Sequence, residues 1–396
     1  MTAPRKVLVV GASAAGLATA EALRRKGYRG GITVLGGEPH LPYDRPPLSK
    51  QVLAGTWTPD RTRLRDQGQL DALDLNLVLG DPALTLDSAT RTVRTSSGRT
   101  LQADTIVIAT GLTPRTLPGQ QSLGGVHVLR SLEDALSLRT ALLETDRAVV
   151  VGDGVLGAEI AATARTMGVD VTLVGRQAAP MDAQFGPRIA ELLARLHAEQ
   201  GVRLEFGVPV DLLLGDSGKV TAVGLADGRV LRASTVVVAV GSTPATAWLA
   251  DSGLTIADGV VCDACCRAAE GVYAVGDVAR WHHEGLDRLV RLENRTNATE
   301  QAAVVAANIL GAERTHIPVP YMWTDQFDTK IQVYGRPSAE DDVQIVEGGE
   351  EERRFVALYR SGGRTTGVLG WNMPRQARMH RSALVQQPAA QPTVHA

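Results

Sequence analysis

Short apolar runs alternate with longer stretches whose apolar positions recur at helical spacing over most of the chain. Twice the order is strand, glycine-rich turn, helix, strand, and a later apolar strand then ends in Gly111 or Gly241. The predicted strands and helices of these two segments are, in chain order, 7–10, 14–26, 32–35, 149–151, 156–167 and 169–174. Because strands separated by helices pair in parallel, the pattern predicts an α/β fold with doubly wound parallel sheets.

Other stretches break this alternation. Three prolines interrupt the pattern at 40–50 and predict a rigid loop. Short strands around 75–86, 92–95 and 100–102 predict a meander crossing over the first sheet, and strands at 330–334, 342–346 and 355–359 predict a β-rich third domain. The predicted divisions are a first nucleotide-binding domain at 1–113 and 242–315, a second at 114–241, an α+β domain at 316–385 and a disordered tail at 386–396.

Both glycine-rich turns have the composition of a dinucleotide-binding loop. Small residues let backbone N–H groups approach a pyrophosphate, and the positive end of the following helix favours its negative charge. The expected contacts are Gly11, Ser13, Ala14, Ala15 and Gly16 in the first turn, and Gly152, Gly154, Val155, Leu156 and Gly157 in the second. Two such turns predict two dinucleotides, one a resident cofactor and the other a diffusing substrate.

A third signal lies at 272–279, where an apolar strand ends in Gly276 and Asp277 and small residues follow. An aspartate at this edge accepts hydrogen bonds from a polyol, while a helix starting after it offers N–H groups to phosphate. FAD contains both groups, because its ribityl chain is joined to a pyrophosphate. Alternatively, Asp277 is a simple helix N-cap. The two glycine turns favour FAD.

Composition excludes several classes of protein. The 396 residues allow two or three domains, and a hydrophobic content of 44% suffices for ordinary cores. The formal net charge of −2 gives no reason to expect nucleic acid or a membrane as a partner. The N-terminus runs directly into the first strand, and no apolar run nears the ~20 residues of a membrane span. We therefore expect a cytoplasmic protein.

The three cysteines, Cys262, Cys265 and Cys266, crowd together without a second cluster to complete a zinc site, so no metal is expected. The spacing of Cys262 and Cys265 is also that of a redox dithiol. A dithiol serving a flavin would lie beside the first nucleotide helix or at the entry of the second nucleotide domain, where the chain has no cysteine. We therefore interpret the cysteines as small residues of a strand and a turn.

Together these motifs resemble the oxygenase-coupled ferredoxin reductases. The resemblance rests on the two turns, the ending Ala109-Thr110-Gly111, the proline-rich loop at 43–50, the Gly276-Asp277 strand and the segment at 320–327. It covers about 6–384 and implies two glutathione reductase-like nucleotide domains plus the α+β domain. It further implies FAD on the first domain, NADH or NADPH on the second, and single electrons passed to an iron–sulfur ferredoxin. That ferredoxin would serve a P450 or a ring-hydroxylating oxygenase.

Two other functions stay open at this point. One is a non-catalytic or sensor flavoprotein of the apoptosis-inducing-factor type, in which nucleotide binding changes assembly rather than sustaining turnover. The other is a rubredoxin or disulfide reductase, and the positions of the three cysteines disfavour the disulfide reductase. Ferredoxin-dependent turnover distinguishes the reductase from both alternatives.

The resemblance also implies roles for individual residues. Lys50 and Glu159 are the expected catalytic residues, an ion pair at the flavin N5 edge that stabilises reduced flavin and orients the nicotinamide. Further flavin contacts are expected at Gly37, Glu38, Arg45, Ala83, Ala109, Thr110, Gly111, Arg115, Arg130, Gly276, Asp277, Glu293, Asn294, Arg295 and Trp323. Further contacts to the nicotinamide nucleotide are expected at Gly175, Arg176 and Gly241.

Several of these positions depart from the family pattern. Ser13 replaces the middle glycine of the first turn but is small enough to permit close approach. Gly37 stands where an acidic residue is expected on the adenosine ribose, so we predict that the neighbouring Glu38 binds this ribose. Arg295 either faces the pyrimidine edge of the flavin, where it would raise the flavin potential, or turns outward to an acidic partner.

Cofactor choice is predicted from Gly175 and Arg176, which follow the strand at 169–174. A glutamate there would accept the ribose 2′-hydroxyl of NADH, whereas an arginine would bind the 2′-phosphate of NADPH. The single Arg176 therefore favours NADPH slightly.

The C-terminal domain carries a charge signal. From Arg353 onward the chain has no acidic residue, and its arginines are Arg353, Arg354, Arg360, Arg364, Arg375, Arg378 and Arg381. Because ferredoxins are commonly acidic, this pattern predicts a basic docking face for the partner. We expect a monomer or a weak dimer.

Overall fold

The computed structural model describes residues 3–385, which form two compact units. Unit 1 comprises 3–44, 60–113 and 242–318, and unit 2 comprises 45–59, 114–241 and 319–385. The predicted loop at 40–50 is therefore divided between the units after Asp44. The predicted tail at 386–396 lies outside the described residues, and the three-domain division stays a prediction.

The strands are β1 (Lys6–Val10), β2 (Gly31–Leu35), β3 (Leu75–Val78), β4 (Ala83–Asp87), β5 (Thr92–Thr95), β6 (Thr100–Gln102), β7 (Thr105–Ile108), β8 (Leu112–Pro114), β9 (Val126–His127), β10 (Arg147–Val151), β11 (Asp170–Gly175), β12 (Arg203–Phe206), β13 (Val210–Asp216), β14 (Lys219–Leu225), β15 (Val230–Arg232), β16 (Thr235–Val238), β17 (Ser242–Pro244), β18 (Val260–Cys262), β19 (Arg267–Ala269), β20 (Val272–Ala274), β21 (Ala279–His283), β22 (Arg288–Val290), β23 (Tyr321–Gln326), β24 (Thr329–Gly335), β25 (Asp342–Gly349), β26 (Arg354–Ser361) and β27 (Arg364–Trp371). The helices are α1 (Ala14–Arg25), α2 (Gln51–Ala54), α3 (Gln67–Asp71), α4 (Leu132–Leu143), α5 (Val155–Thr166), α6 (Asp182–Glu199), α7 (Arg295–Ile309), α8 (Pro374–His380) and α9 (Ser382–Val385).

Unit 1 is built on a sheet in the order β19-β20-β7-β1-β2-β3, in which only β19 runs antiparallel to its neighbour. β2 and β3 follow β1 on one side of the sheet, whereas β7 and β20 lie on the other side. The direction in which strands are added therefore reverses at β1. Val9 pairs with Val34 and Val107, and all three are fully buried. In open α/β sheets ligands bind at this reversal, outside the carboxyl ends of the strands.

The predicted meander is only partly formed. β3 joins the parallel sheet beside β2, whereas β4, β5 and β6 form a separate antiparallel sheet. The predicted strand region at 75–86 is therefore two strands in two sheets.

The prediction of a helix after Asp277 is wrong. The chain makes a short 3₁₀ turn at Gly276–Val278 and continues directly into β21, so Asp277 is no helix N-cap. Along β21 the residues alternate, with Ala279, Trp281 and His283 buried and the two between them partly exposed. This period-two pattern, with a large aromatic residue in the core, stabilises a strand more than small flanking residues favour a helix. The next helix, α7, packs against α1.

Unit 2 contains a parallel sheet in the order β12-β11-β10-β16-β9 and an antiparallel sheet in the order β23-β24-β27-β26-β25. α6 packs its apolar face on the second of these sheets, where Phe185 and Leu193 share a core with Phe355 and Trp371. Helical geometry in α6 is interrupted at Gly186, whose φ is 74°. No helix within 3–385 has the length and apolarity needed to cross a membrane.

Buried His316 predicts acid sensitivity of unit 1. Burial, reinforced by nearby His283, lowers the pKa of His316 from 6.5 to about 4. Nε2 of the neutral His316 ring donates to Asn297 Oδ1 at 2.9 Å. The backbone carbonyl oxygen of His316 accepts a hydrogen bond from Trp281 Nε1. The folded state therefore disfavours the charged ring, and between pH 6.5 and 4 the unfolded state binds more protons at this position. The contribution of His316 to the free energy of unfolding is thus fully present above pH 6.5 and is lost as the pH falls towards 4. Between pH 7 and 5 we expect a loss of about 2 kcal/mol in unfolding free energy from this group.

Urea unfolding at the two pH values checks this expectation. His316→Gln should flatten the pH dependence, whereas His282→Gln removes a partly exposed histidine of the same unit and should leave it unchanged. Equal pH dependence in the wild type and His316→Gln would contradict the assignment.

Candidate functional site

The first glycine turn follows β1 at the sheet edge of unit 1. A Cβ on Gly11 would lie 2.2 Å from the Ala109 carbonyl oxygen, and one on Gly16 would lie 1.8 Å from the Gly11 carbonyl oxygen. Both positions therefore require glycine. Ser13 is the N-cap of α1, but its hydroxyl makes no capping bond and instead lies 3.4 Å from the Tyr43 carbonyl oxygen. Within the described residues no side chain caps the first turn of α1, so its N–H groups can serve an anion.

Neighbouring strands bring further predicted residues to this turn. A Cβ on Gly276, whose φ is 74°, would lie 3.0 Å from the Ala15 Cβ, so the Gly276-Asp277 turn lies against the start of α1. Thr110 follows β7 and donates its hydroxyl to the Ala245 carbonyl oxygen at 2.9 Å. The site thus combines the uncapped N-terminus of α1 with the carboxylate of Asp277, which lies on the neighbouring Gly276-Asp277 turn. These groups fit the pyrophosphate and polyol of FAD.

The loop after β2 holds the residues predicted for the adenosine end. Glu38 Oε2 accepts a hydrogen bond from the Tyr43 hydroxyl, and the Glu38 carbonyl oxygen accepts from Gly80 N at 2.9 Å. A Cβ on Gly37 would lie 3.5 Å from Pro82, which precedes Ala83 in the chain. The structure therefore brings Gly37, Glu38 and the start of β4 together. Their contacts with FAD stay a prediction.

Arg295 makes an ion pair within unit 1. Its Nε lies 2.7 Å from Asp44 Oδ1, and its Nη1 donates to Thr299 on the next turn of α7. Asn294 caps α7 by accepting from Asn297 N at 2.6 Å. Glu293 pairs with Arg291 at 2.6 Å. Both predicted orientations of Arg295 treated its guanidinium as available, whereas its partner is the carboxylate of Asp44.

The second glycine turn, in unit 2, repeats the geometry of the first. A Cβ on Gly157 would lie 1.9 Å from the Gly152 carbonyl oxygen, and Gly154 is the N-cap of α5, where it brings no capping side chain. By contrast, α4 begins with a complete capping box in which Ser131 and Asp134 satisfy each other's backbone. Apart from Gly154 itself and its two chain neighbours, no described residue has an atom within 4 Å of a Cβ built on Gly154, so a phosphate has room to approach. The turn fits a dinucleotide.

The predicted catalytic pair is formed within unit 2. Lys50 Nζ lies 2.7 Å from Glu159 Oε2, and the two side chains are only 12% and 6% exposed. Ser49 Oγ donates to the same carboxylate oxygen at 2.6 Å, and Thr324 Oγ1 donates to Oε1 at 2.9 Å. Thr163, one turn along α5, donates its hydroxyl to the Ser49 carbonyl oxygen at 2.7 Å. Glu159 is therefore a buried carboxylate held by one cation and two hydroxyls.

A buried polar chain continues from Thr324 and was missed in the sequence. Gln326 Nε2 donates to Thr324 Oγ1 at 3.1 Å, and Gln326 Oε1 lies 2.7 Å from His197 Nε2. An amide oxygen only accepts, so His197 carries its proton on Nε2. Burial lowers the pKa of His197 and keeps the ring neutral. Each hydrogen bond in this series is donated in the direction of Glu159. In the sequence, the only indication of the series was that Thr324 is adjacent to Trp323, a predicted site residue.

The remaining residues predicted to contact the flavin or the nicotinamide nucleotide lie in loops and on β23 of unit 2. Arg45 Nη1 donates to the Arg130 carbonyl oxygen at 2.6 Å, and Arg115 N donates to the Gly241 carbonyl oxygen at 3.0 Å. Trp323 is partly buried on β23, with its ring centroid 5.8 Å from that of Tyr321.

Gly175, the last residue of β11, is buried, and Arg176 after it is exposed. The carboxylate of Asp153, the middle residue of the second glycine turn, lies over Gly175: a Cβ built there would meet Asp153 Oδ2 at 2.5 Å. Asp153 was not among the predicted site residues, because its side chain reaches the end of β11 only in the folded sheet.

The cysteines have the geometry expected of structural residues. Cys262 ends β18, and Cys266 lies in the following turn with its Sγ accepting from Gln301 Nε2 at 3.2 Å. Burial raises the pKa of Cys266 to about 12 and that of Cys262 well above its ordinary value. Both thiols are therefore protonated and unreactive at neutral pH. The strand-and-turn interpretation is confirmed.

Residues 5–302 match the model of the pyridine nucleotide-disulphide oxidoreductase family. The chain belongs to this family. Residues 321–396 match a second model, described as reductase C-terminal. These matches, together with the parallel and antiparallel sheets, confirm the predicted fold class. The family consists of oxidoreductases, so the chain is an enzyme of that class.

Relatives of this family member are ferredoxin reductases. Rhodocoxin reductase of Rhodococcus erythropolis is 33% identical, over 96% of this chain and 89% of the relative. The ferredoxin–NAD(+) reductase subunit of a benzene 1,2-dioxygenase system of Pseudomonas putida is 36% identical, over 93% of this chain and 90% of the relative. A covalent putidaredoxin reductase–putidaredoxin complex superposes with a TM-score of 0.92 at 31% identity, covering 99% of this chain and 95% of that chain. The resemblance to oxygenase-coupled ferredoxin reductases is confirmed.

Proposed function

We propose that this protein is an FAD-dependent NAD(P)H:ferredoxin reductase of an oxygenase system. The observation that carries the proposal is a pair of uncapped glycine turns, one in each unit, in a chain whose only cysteines lie at 262, 265 and 266. Bound FAD would accept a hydride from the nicotinamide and release the two electrons one at a time. Because no reactive dithiol accompanies the turns, a one-electron carrier is the acceptor that this chain favours over a disulfide.

The chain's own contribution centres on Glu159. Lys50 balances the charge of this buried carboxylate, while Ser49 and Thr324 fix the orientation of its two oxygens. A buried charge with several donors is held in one geometry, and such preorganisation lowers the cost of aligning reacting groups. We assign Lys50 and Glu159 to positioning the nicotinamide and to stabilising negative charge on reduced flavin.

The ferredoxin would dock on the α8 face, defined here as Arg375, Arg378 and Met379. Both arginines are exposed and make no ion pair within 3–385, and Met379, which follows Arg378, is 75% exposed. Arg353 differs from them, because it pairs with Glu199. A basic surface around one exposed apolar side chain suits an acidic partner and its apolar contact.

An aromatic series runs from Arg381, the residue that follows α8, to Trp323. The Arg381 guanidinium lies 5.7 Å from the Tyr334 ring centroid, Tyr334 lies 4.8 Å from Tyr321, and Tyr321 stacks on Trp323 at 5.8 Å. Because α8 packs against β24 and β24 pairs with β23, the α8 face belongs to the same domain as Trp323, a residue predicted to contact the flavin. Taken alone, Arg176 favours NADPH as the electron donor.

Two measurements test the proposed function. The purified protein is expected to be yellow with a flavin spectrum, and NADH or NADPH should support cytochrome c reduction that depends on an added [2Fe–2S] ferredoxin such as putidaredoxin. Omitting the ferredoxin is the control. A colourless protein that does not bind FAD would refute the flavin assignment. Rapid flavin reduction without ferredoxin-dependent turnover would favour the non-catalytic alternative.

A further inference from the structure

The end of β11 is the position at which a dinucleotide-binding unit usually presents a carboxylate to the adenosine ribose. Gly175 occupies that position and has no side chain to offer. A Cβ there would meet Asp153 Cβ at 2.4 Å and Asp153 Oδ2 at 2.5 Å. The carboxylate that β11 lacks is thus replaced by one from the glycine turn, in the space that a side chain at position 175 would fill.

Asp153 is held firmly in this position. Its Oδ2 accepts from Gln177 N at 2.8 Å, and its Oδ1 accepts from Gln177 Nε2 at 2.9 Å. Gln177 Oε1 in turn accepts from Ala183 N, which fixes the orientation of the amide. The Asp153 carbonyl oxygen accepts from Met181 N at 2.7 Å. Each carboxylate oxygen keeps a lone pair beyond its bond to Gln177, and the residue is only partly buried, so a further hydroxyl donor can reach it.

We propose that Asp153 determines the choice of nucleotide by binding the adenosine ribose hydroxyls and repelling a 2′-phosphate, which makes NADH the preferred donor. This inference rests on the proposed nicotinamide nucleotide site at the second glycine turn. A carboxylate that faces a 2′-phosphate is repelled by its negative charge. A carboxylate that faces an unmodified ribose instead accepts a charge-assisted hydrogen bond from a ribose hydroxyl.

Arg176 favours the 2′-phosphate, but its effect on nucleotide choice is smaller than that of Asp153. It is exposed and has no hydrogen-bond or ion-pair partner within the described part of the chain, so water competes for its guanidinium. Exposed single charges contribute little, while a partly buried, hydrogen-bonded carboxylate is screened less. The preference for NADPH drawn from Arg176 alone is therefore reversed in this proposal by Asp153.

Calorimetric binding of ADP-ribose and 2′-phospho-ADP-ribose to the FAD-loaded protein tests the proposal without turnover. The wild type is expected to bind ADP-ribose more tightly by about tenfold or more, and Asp153→Asn should reduce this ratio about tenfold. Arg176→Gln should increase it. Asp170→Asn is the matched control, because it removes a carboxylate at the opposite end of β11, where Asp170 pairs with Arg147 and Arg203. Its ratio should equal that of the wild type.

Asp153→Ser is the second variant, and the melting temperature of each variant is recorded. A wild type that prefers 2′-phospho-ADP-ribose, or a ratio unchanged in both folded Asp153 variants, would overturn the proposal while leaving the nucleotide site intact. If Asp153→Asn fails to fold, Asp153→Ser and Arg176→Gln decide between the same outcomes. Binding of neither ligand by the folded wild type would instead overturn the proposed nucleotide site together with this inference.

Discussion

Lys50→Met is expected to slow reduction of bound FAD by NADH or NADPH about 100-fold or more. Methionine keeps the length and apolar stem of lysine but leaves Glu159, whose side chain is 6% exposed, without its cation. A buried carboxylate that loses its charge partner reorients or takes up a proton, and either change moves the group assigned to position the nicotinamide. Glu159→Gln should have a similar effect, because the amide oxygen still accepts from Lys50 but no longer balances its charge.

Anaerobic stopped-flow measurement of the flavin absorbance separates the limiting rate from nucleotide affinity. The limiting rate is expected to fall more than the affinity. Lys330→Met is the matched control: Lys330 makes an exposed ion pair with Asp325 at 3.8 Å in the same unit, and its loss should leave the rate unchanged. A Lys50→Met variant that retained FAD and was reduced at the wild-type rate would remove Lys50 from the mechanism.

Reversing the charge of the α8 face should weaken ferredoxin binding. With Arg375→Glu and Arg378→Glu combined, we expect the KM for an acidic ferredoxin to rise about 10- to 100-fold at low ionic strength, and the salt dependence of turnover to be lost. Opposite charges steer the encounter in the wild type, and like charges would repel the partner in the variant. Reduction of the flavin by nicotinamide nucleotide should be unaffected, because neither arginine belongs to the Lys50–Glu159 site.

Steady-state cytochrome c reduction over a range of salt concentrations measures this effect. Arg195→Glu with Arg203→Glu gives the same change in net charge on exposed arginines of unit 2, which have acidic partners in Glu191 and Asp170. This control separates local docking from the overall field of the protein. Equal kinetics in the two double variants would place the ferredoxin on another surface.

The local elements were largely predictable because their causes are local. A strand, a glycine turn and a helix occupy consecutive residues, so the apolar spacing and the small residues of the first unit predict β1, α1 and β2 to within one residue at each end. Where two local signals conflicted, prediction failed. After Asp277 the small residues suggested a helix, but burial of Trp281 in the core of unit 1 favoured β21.

Side-chain partnerships were less predictable, since they join residues far apart in sequence. Arg295 pairs with Asp44 across 251 positions, and Thr324 donates to Glu159 across 165. The pairing of Lys50 with Glu159 was predicted only through the family resemblance. Nothing in residue spacing identifies such partners, because their distance depends on how strands and helices pack rather than on chain length between them.

The sequence by itself determined the two glycine-rich turns, the two parallel sheets and the β-rich C-terminal region, since each follows from periodicity and from the close approach that glycine allows. The tertiary structure alone decided which charges meet. It paired Arg295 with Asp44, extended the Glu159 site through Thr324 and Gln326 to His197, and laid Asp153 over Gly175. The physical reason is that backbone elements form from neighbouring residues, whereas a buried or partly buried charge requires partners that only packing can supply.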